Sequence, residues 1–410
     1  MGSIGLLQAQ TPERNVFFVH GLNGNAGSWV KYDEYFNSTR KANPIRHGYT
    51  EASGLTGAAS DLRGQMAGSV VPNTYSQNIA IAHSQGGLVV RTIAKNYEGA
   101  QCPFGGFITV GTPNLGAKVV NSYKTGGFTT FTEDATKELM AGPGWSFFAS
   151  INPFFTWIAN QSIPKMVENL IVDQSKITNS TTNDYYVGAP FLQNLSGHVA
   201  NMPKVGIVSA EDAPSSHWKT ITNYTVNPVT DLPFNTTDDD DVEVGMKKVH
   251  NFYAGQVSWC RFWQANAFLP FIGRIWKWQG DNWQRGVNWI ANSEAKYVNL
   301  IGNIELTPHV VPQSICPWPC TMSECVYGQS GCSIQPPYGT VYTVETFPTD
   351  GIVNTHAQAL PGAIHNFNVQ GANHAEERNH PGITQTFKQL MDGETGVPGE
   401  DIKFFKIPKL

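Results

Sequence analysis

In "NIAIAHSQGG" (residues 78–87), small and apolar residues give way to His83, Ser84 and Gln85, and two glycines follow. A serine hydroxyl becomes a nucleophile when a base takes its proton and a carboxylate orients that base. Both groups occur late in the chain. Asp350 lies in "FPTDGIVNTHAQALPGA" and His374 in "VQGANHAEERNHPG". A set of this kind performs acyl transfer, with attack on a carbonyl carbon, a covalent intermediate and release by water. The order Ser84, Asp350, His374 is that of enzymes whose serine sits on a sharp strand-to-helix turn. Asp212, in "IVSAEDAP", is the alternative acid, and His365 and His380 are the alternative bases nearby.

The flanking segments are suited to position these groups. "NVFFVHG" (15–21), "NIAIAHS" (78–84) and "GGFITVGTP" (105–113) read as buried strands. "QGGLVVRTIAKNY" places Leu88, Val89, Val90, Ile93 and Ala94 on one helical face, and "GLTGAASDLRGQMAGSV" is helix-compatible. Strands alternating with helices at this spacing predict βαβ units and a parallel sheet. Ala82 and Gly86, two residues either side of Ser84, suit a turn too tight for side chains, with alanine where the pattern has glycine. That turn exposes the Ser84 hydroxyl and aims the Gln85 backbone N–H, at the helix start, at a developing oxyanion. A second donor has to come from a loop over the same sheet edge. The Leu22 backbone N–H, in "FFVHGLNGN", is the candidate. His20 reads as a loop anchor, and His83 is expected to point away from its neighbour. His217, His250 and His309 fall in or near the inserted region.

"VFFVHGLNGN", "IAHSQGGLVVR", "VGTPNLGA", "DGIVNTHAQALPG" and "NHAEERN" occur in the order seen in bacterial secreted lipases of the α/β-hydrolase fold. Over about residues 15–120 and 345–390 the chain resembles that group, which includes the triacylglycerol lipases of pseudomonads. The resemblance implies Ser84 as nucleophile, Asp350 in D-G-x-V as acid, His374 as base, and Leu22 and Gln85 as the oxyanion hole. It implies a mostly parallel central sheet with helices on both faces and a large cap or lid. The implied activity is cleavage of carboxylic esters of hydrophobic acyl groups, by a lipase or esterase that needs no cofactor. Some members hold a structural calcium through an acid two residues beyond the histidine, where Glu376 stands. An acyltransferase or thioesterase would share the triad, as would a peptidase. A non-catalytic binding protein would be expected to lack one of its members.

The implied organisation is a core of 1–120 and 295–410, with a cap over 121–294 that contains one core-strand candidate, "KVGIVSAED" (204–212). "YVNLIGNI" (297–304) and "TVYTVET" (340–346) read as later strands, and "HNFNVQ" as a short one. The aromatic block at 144–161 reads as cap packing or as a lid over an acyl-binding surface, and the one at 259–289 reads as part of the inserted cap. "TDDDD" (237–241) reads as a solvated acidic loop. Cys316, Cys320, Cys325 and Cys332 lack a C-x-x-C pair, which disfavours zinc. Two local disulfides stapling a loop at 316–332 fit better and imply an oxidising, extracytoplasmic compartment, with secretion expected. Cys102 and Cys260 could pair or stay buried. A net charge of −5 disfavours a nucleic-acid partner. No apolar run reaches the ~18 residues of a membrane span. The expected partner is thus a hydrophobic ester or lipid, presented in solution or at an interface. "MGSIGLLQAQTPER" has no basic n-region and reads as a mature chain with an added Met. The sequons at Asn37 and Asn194 are of the kind that Asn/Thr-rich loops generate by chance.

Overall fold

The computed structural model describes residues 14–22, 24–69, 75–97, 99–142, 180–211, 236–302, 304–312, 338–374 and 376–410. Its strands are β1 (Asn15–Val19), β2 (Asn43–His47), β3 (Ile79–His83), β4 (Gly106–Val110), β5 (Lys204–Ala210), β6 (Ile304–Pro312), β7 (Tyr338–Thr346) and β8 (His365–Gln370). Its α-helices are α1 (Val30–Thr39), α2 (Gly54–Ser69), α3 (Gln85–Asn96), α4 (Lys118–Lys124), α5 (Gly127–Leu139), α6 (Pro190–Gly197), α7 (Thr236–Ala265), α8 (Pro270–Ile301), α9 (Thr355–Gln358), α10 (Pro381–Asp392) and α11 (Glu400–Lys403).

β2, β1, β3, β4, β5 and β8 form one sheet in that order, parallel at every pairing. Side chains alternate between its faces because the strand period is two. Phe17, Val19, Ala80, Ala82 and Phe107 pack on one side with Leu55 and Leu62 of α2 and Leu88 and Ile93 of α3. Val16, Phe18, Ile79, Ile81 and Ile108 pack on the other with Tyr32 and Phe36 of α1 and Phe387 and Leu390 of α10. The sheet is therefore covered on both faces, as a parallel sheet requires. This is the α/β-hydrolase fold class that the motifs imply. The strand order reverses direction at β1 and β3, and that switch opens a crevice at the carboxyl edge. The runs at 15–21, 78–84, 105–113, 204–212 and "HNFNVQ" all carry strands of this sheet.

Three readings of the sequence are corrected. "YVNLIGNI" is not a strand; its first five residues close α8. Trp289, Ser293, Tyr297 and Ile301 recur every fourth residue and are all buried, so the helical period prevails over a short apolar run. Gly302 then ends the helix in a left-handed conformation, φ 77°. "TDDDD" lies at the start of α7 rather than in a loop. "TVYTVET" is a strand, β7, but it pairs antiparallel with β6 in a two-stranded sheet instead of joining the core. Asn303–Phe347 makes a compact unit of its own that interrupts the 295–410 segment. The second aromatic block, 259–289, spans the end of α7 and the start of α8. The block at 144–161 and the cysteines of the 316–332 loop lie outside the described residues. Cys102 and Cys260 are buried free thiols.

Candidate active site

The carboxyl ends of β1, β3, β4, β5 and β8 all open onto one edge of the sheet, and the candidate groups gather there. β3 stops at His83 and α3 starts at Gln85, so one residue makes the whole turn. Ser84 pays the conformational cost, with φ 53° and ψ −131°, the sole non-glycine residue at positive φ among the described residues. Its amide is tied to the Val110 carbonyl of β4 at 2.9 Å. The two following glycines are steric requirements. A Cβ on Gly86 would lie 2.2 Å from the His20 carbonyl oxygen, and one on Gly87 would lie 2.0 Å from Thr112 Oγ1. The first loop passes as closely, because a Cβ on Gly21 would meet Ser84 Cβ at 2.7 Å.

The structure brings Ser84, His374 and Asp350 together. His374 Nε2 lies 2.8 Å from Ser84 Oγ, and its Nδ1 lies 2.7 Å from Asp350 Oδ2. The loop after β8 carries the histidine, and its backbone N–H donates to the Asp350 carbonyl at 2.9 Å. Asp350 is fully buried, so its charge has to be met by donors. Oδ1 accepts from the backbone N–H groups of Ile352 (2.8 Å) and Val353 (2.7 Å). Oδ2 also accepts from Gln358 Nε2 at 3.0 Å. The hydroxyl of Tyr297, on α8, donates to the carbonyl of Gly351 at 3.0 Å. Ser84 is partly exposed, so a reactant can reach the hydroxyl.

Gln85 starts α3, where the first N–H groups lack intrahelical acceptors. Its fully buried side chain donates to Tyr49 Oη at 3.3 Å and accepts from Tyr185 Oη at 2.9 Å. Tyr49 in turn donates to the His20 carbonyl at 3.1 Å and stacks on the His20 ring, centroids 4.5 Å apart. His20 is thereby an anchor for the loop, as its position at the strand end implied. Leu22 follows Gly21 in that loop and packs half-buried against the aromatic cluster of α5, α7 and α8. Leu22 thus follows the residue that passes closest to Ser84, and Gln85 follows Ser84 itself at the start of α3.

The remaining histidines are elsewhere. His365 begins β8, at the other end of that strand from His374. His380 caps α10, with Nδ1 accepting from the Gly382 amide at 3.2 Å. His250 lies on α7 and His309 on β6. Asp212 and His217 lie outside the described residues. His83, by contrast, is not remote. Its ring tilts against that of His374 at 4.8 Å, and its Nε2 donates to the His374 carbonyl at 3.0 Å. Burial, then the neighbouring His374 and Arg378, push its pKa well below the usual imidazole range.

The sequence reading missed Glu377. Its carboxyl is fully buried beneath the site, 2.9 Å from His83 Nε2 and 3.7 Å from His374 Nδ1. The His83 N–H points at the His374 carbonyl instead, which leaves Glu377 Oε2 without a hydrogen bond. Ser209 Oγ of β5 donates to Oε1. Burial, then the nearby Asp350 carboxylate, push the Glu377 pKa well above the usual carboxylate range. No motif signals this residue or Gln358. Only an open neighbour such as Gly111, whose Cβ would strike Glu377 Oε2 at 1.8 Å, makes room for the carboxyl.

His83, His374 and Glu377 are also the one trio of metal-capable side chains grouped among the described residues. Two imidazoles and one carboxyl are not the all-oxygen set that calcium takes. Glu376, the expected calcium ligand, is not in the trio. It faces the Asn373 amide, with Oε2 3.4 Å from that nitrogen.

Residues 10–140 match a family model described as "Putative serine esterase (DUF676)". No curated protein matches the chain. Solved structures similar to it include the lipase BlEst2 of Bacillus licheniformis in its mature form. That protein is 12% identical over 93% of this chain and 91% of its own, with a TM-score of 0.39. Phospholipase PlaB of Legionella pneumophila is 13% identical over 48% of this chain and 39% of its own, TM-score 0.29. The lin2722 product of Listeria innocua is 14% identical over 50% of this chain and 73% of its own, TM-score 0.28. The family match, beside the parallel sheet and the turn at Ser84, supports serine-hydrolase chemistry.

Proposed function

We propose that this chain, a member of the α/β-hydrolase superfamily, hydrolyses carboxylic esters of hydrophobic acyl groups through an acyl-enzyme. The observation that carries the reading is the hydrogen-bonded chain Ser84 Oγ–His374 Nε2, His374 Nδ1–Asp350 Oδ2, at 2.8 and 2.7 Å on a strained turn. His374 takes the hydroxyl proton as Ser84 Oγ bonds to the ester carbonyl carbon. The Leu22 and Gln85 amides receive the oxyanion, at about 3–4 kcal/mol per donor in enzymes of this kind. The intermediate collapses as His374 returns the proton to the leaving alkoxide. Water, deprotonated by His374, then releases the acid and restores Ser84. Asp350 stays ionised and holds the imidazole tautomer. The four cysteines between Cys316 and Cys332 support action in an oxidising, extracytoplasmic compartment.

The test is hydrolysis of p-nitrophenyl esters from acetate to palmitate by wild type and Ser84→Ala. Wild type is expected to cleave the series, and the variant to lose roughly 10⁴-fold or more in kcat. The chain-length optimum reports the acyl preference. Retained activity in the variant would remove Ser84 from the mechanism. Failure of wild type on every ester would favour transfer to an acceptor other than water.

A further inference from the structure

α7 and α8 are buried at their roots and bare at their ends. Tyr253, Trp283, Trp289 and Tyr297 are each at most 2% exposed, packed with Phe128, Phe131 and Leu139. Toward the turn that joins the two helices the burial stops. Phe268 is 96% exposed, Trp278 61%, Phe262 and Phe271 59% each, Trp259 51% and Ile275 50%. Single exposed apolar residues are ordinary on a protein surface, but a cluster of large ones on a single turn is not. Phe271 lies about 18 Å along the helix from Trp283. The end is not a loose flap. Trp259 meets Trp276 edge-on at 4.8 Å across the two helices, and Trp263 stacks on Trp276 at 6.3 Å. The exposed rings are thus held on a preformed support and lose little entropy on docking.

The charge pattern says what would cover them. From Asn251 to Gly280 the only charged residues are Arg261, Arg274 and Lys277, all basic, in a chain whose net charge is −5. Asp281 closes the patch on the root side, bound to Arg261 at 2.5 Å and Lys277 at 2.6 Å. Arg274 has no ion pair among the described residues and lies between the bare tip and the tryptophans. An apolar end followed by a band in which basic side chains and tryptophans interleave is the order met on passing from the hydrocarbon of a lipid surface into its headgroup layer. The geometry points to the α7–α8 turn as an anchor that enters the boundary of an anionic lipid surface. Phe268 and Phe271 sit among the acyl chains, and Arg274 meets the headgroup phosphates. This inference goes beyond ester cleavage and stands whether or not Ser84 is a nucleophile. The tip is about 39 Å along α8 from Tyr297, which holds the Asp350 loop, so tip variants leave the site alone.

The experiment is vesicle flotation of the full chain carrying Ser84→Ala, so that no lipid is consumed. Vesicles are phosphatidylcholine alone or an equimolar mixture with phosphatidylglycerol. Binding to the mixed vesicles is expected, weakening as salt rises. Phe268→Asp with Phe271→Asp is expected to lower partitioning at least about tenfold with an unchanged melting temperature. Arg274→Glu is expected to remove most of the preference for the anionic mixture. Absence of binding, or binding that the tip variants leave intact, overturns the proposal. So does a concentration-dependent dimer that Phe268→Asp dissolves while vesicles stay unbound, since the face is then a contact between copies. Hydrolysis of p-nitrophenyl acetate by the tip variants in the Ser84 wild-type background separates a failure here from a failure of the esterase reading.

Discussion

The carboxyl edge of the sheet and the α7–α8 turn satisfy their side chains in opposite ways. At the sheet edge, Asp350 is fully buried, yet it receives the Ile352 and Val353 amides, Gln358 and His374. The Ser84 turn is strained, and the Val110 carbonyl of β4 and the His20–Gly21 backbone after β1 close in on it. At the helix turn, large apolar rings stand in water while the residues two or three helical turns away are fully packed. In the first region the Asp350 carboxylate and the Ser84 turn are held by groups of the chain itself. The second region is complete only at its root. Burial therefore separates residues that the fold needs from residues held ready for something outside the chain.

The comparison breaks first if the edge tolerates a change of donor pattern. Asp350→Asn keeps the shape, but its amide can donate to His374 Nδ1 and reverse the tautomer. A fall of about 10⁴-fold in kcat on a soluble ester, with an unaltered circular dichroism spectrum, is expected. A loss under tenfold would show that Asp350 does not orient the base. The next largest effect belongs to the helix root. Trp283 meets Tyr253 at 5.1 Å and Phe252 at 5.7 Å, both edge-on, and its ring fills the space where Gly142 would carry a Cβ. Trp283→Ala is expected to cost about 3–5 kcal/mol in urea unfolding. A cost below about 1 kcal/mol would mean that the root is no better packed than the tip. Gly86→Ala drives a methyl into the His20 carbonyl. An expected loss of about 1–3 kcal/mol is paired with a drop in kcat, because the loop carrying Leu22 has to shift. Normal kcat would mean that the loop yields without disturbing the site.

The difference between the regions also explains what could be read in the sequence. Ser84, Asp350 and His374 each follow a recognisable local signal: a tight turn between apolar runs, an Asp-Gly pair, a polar loop before a terminal helix. The parallel sheet was legible because β1, β3, β4 and β5 are short buried runs. β2 was not, since "NPIRH" is an edge strand with Pro44 and two basic or titratable residues and no apolar pattern. Glu377 and Gln358 were illegible because their role is set by where α9 and the His374 loop pack, which no local spacing encodes. "YVNLIGNI" misled because five apolar residues in eight fit a strand and a buried helix equally well. The tryptophan-rich segment announced that it was unusual. Whether its rings were core or surface depended on which helix turns had neighbours.

A smaller effect tests the polar support under the site. Glu377 has a raised folded pKa, so its stabilising contribution is fully present below the ordinary value of 4.5 and is lost as pH rises through the folded value. Glu377→Gln keeps the shape and removes the titration. The melting temperature of the variant is expected to gain on that of wild type as pH rises from about 4.5, with the gap closing below it. A flat difference across pH would mean that the carboxyl is ionised in the fold. His83 acts from the other side. Its folded pKa is depressed, so its contribution is present above the ordinary imidazole value of about 6.5 and is lost as pH falls. The two dependences have opposite slopes, and the variant isolates one of them.

The smallest expected effect is the sharpest test of the comparison. Phe268→Ser removes a large aromatic ring that is 96% exposed. A ring already in water has no transfer free energy to lose on truncation, so urea unfolding is expected to shift by no more than about 0.5 kcal/mol. The same class of change at Trp283 removes contacts on every side. If Phe268→Ser instead cost more than about 1 kcal/mol, the ring would have an internal partner and the tip would belong to the core. An unchanged stability joined to lost vesicle binding would separate the two ends of one helix, with α8 holding the Gly351 carbonyl at its root and offering bare aromatics at its tip.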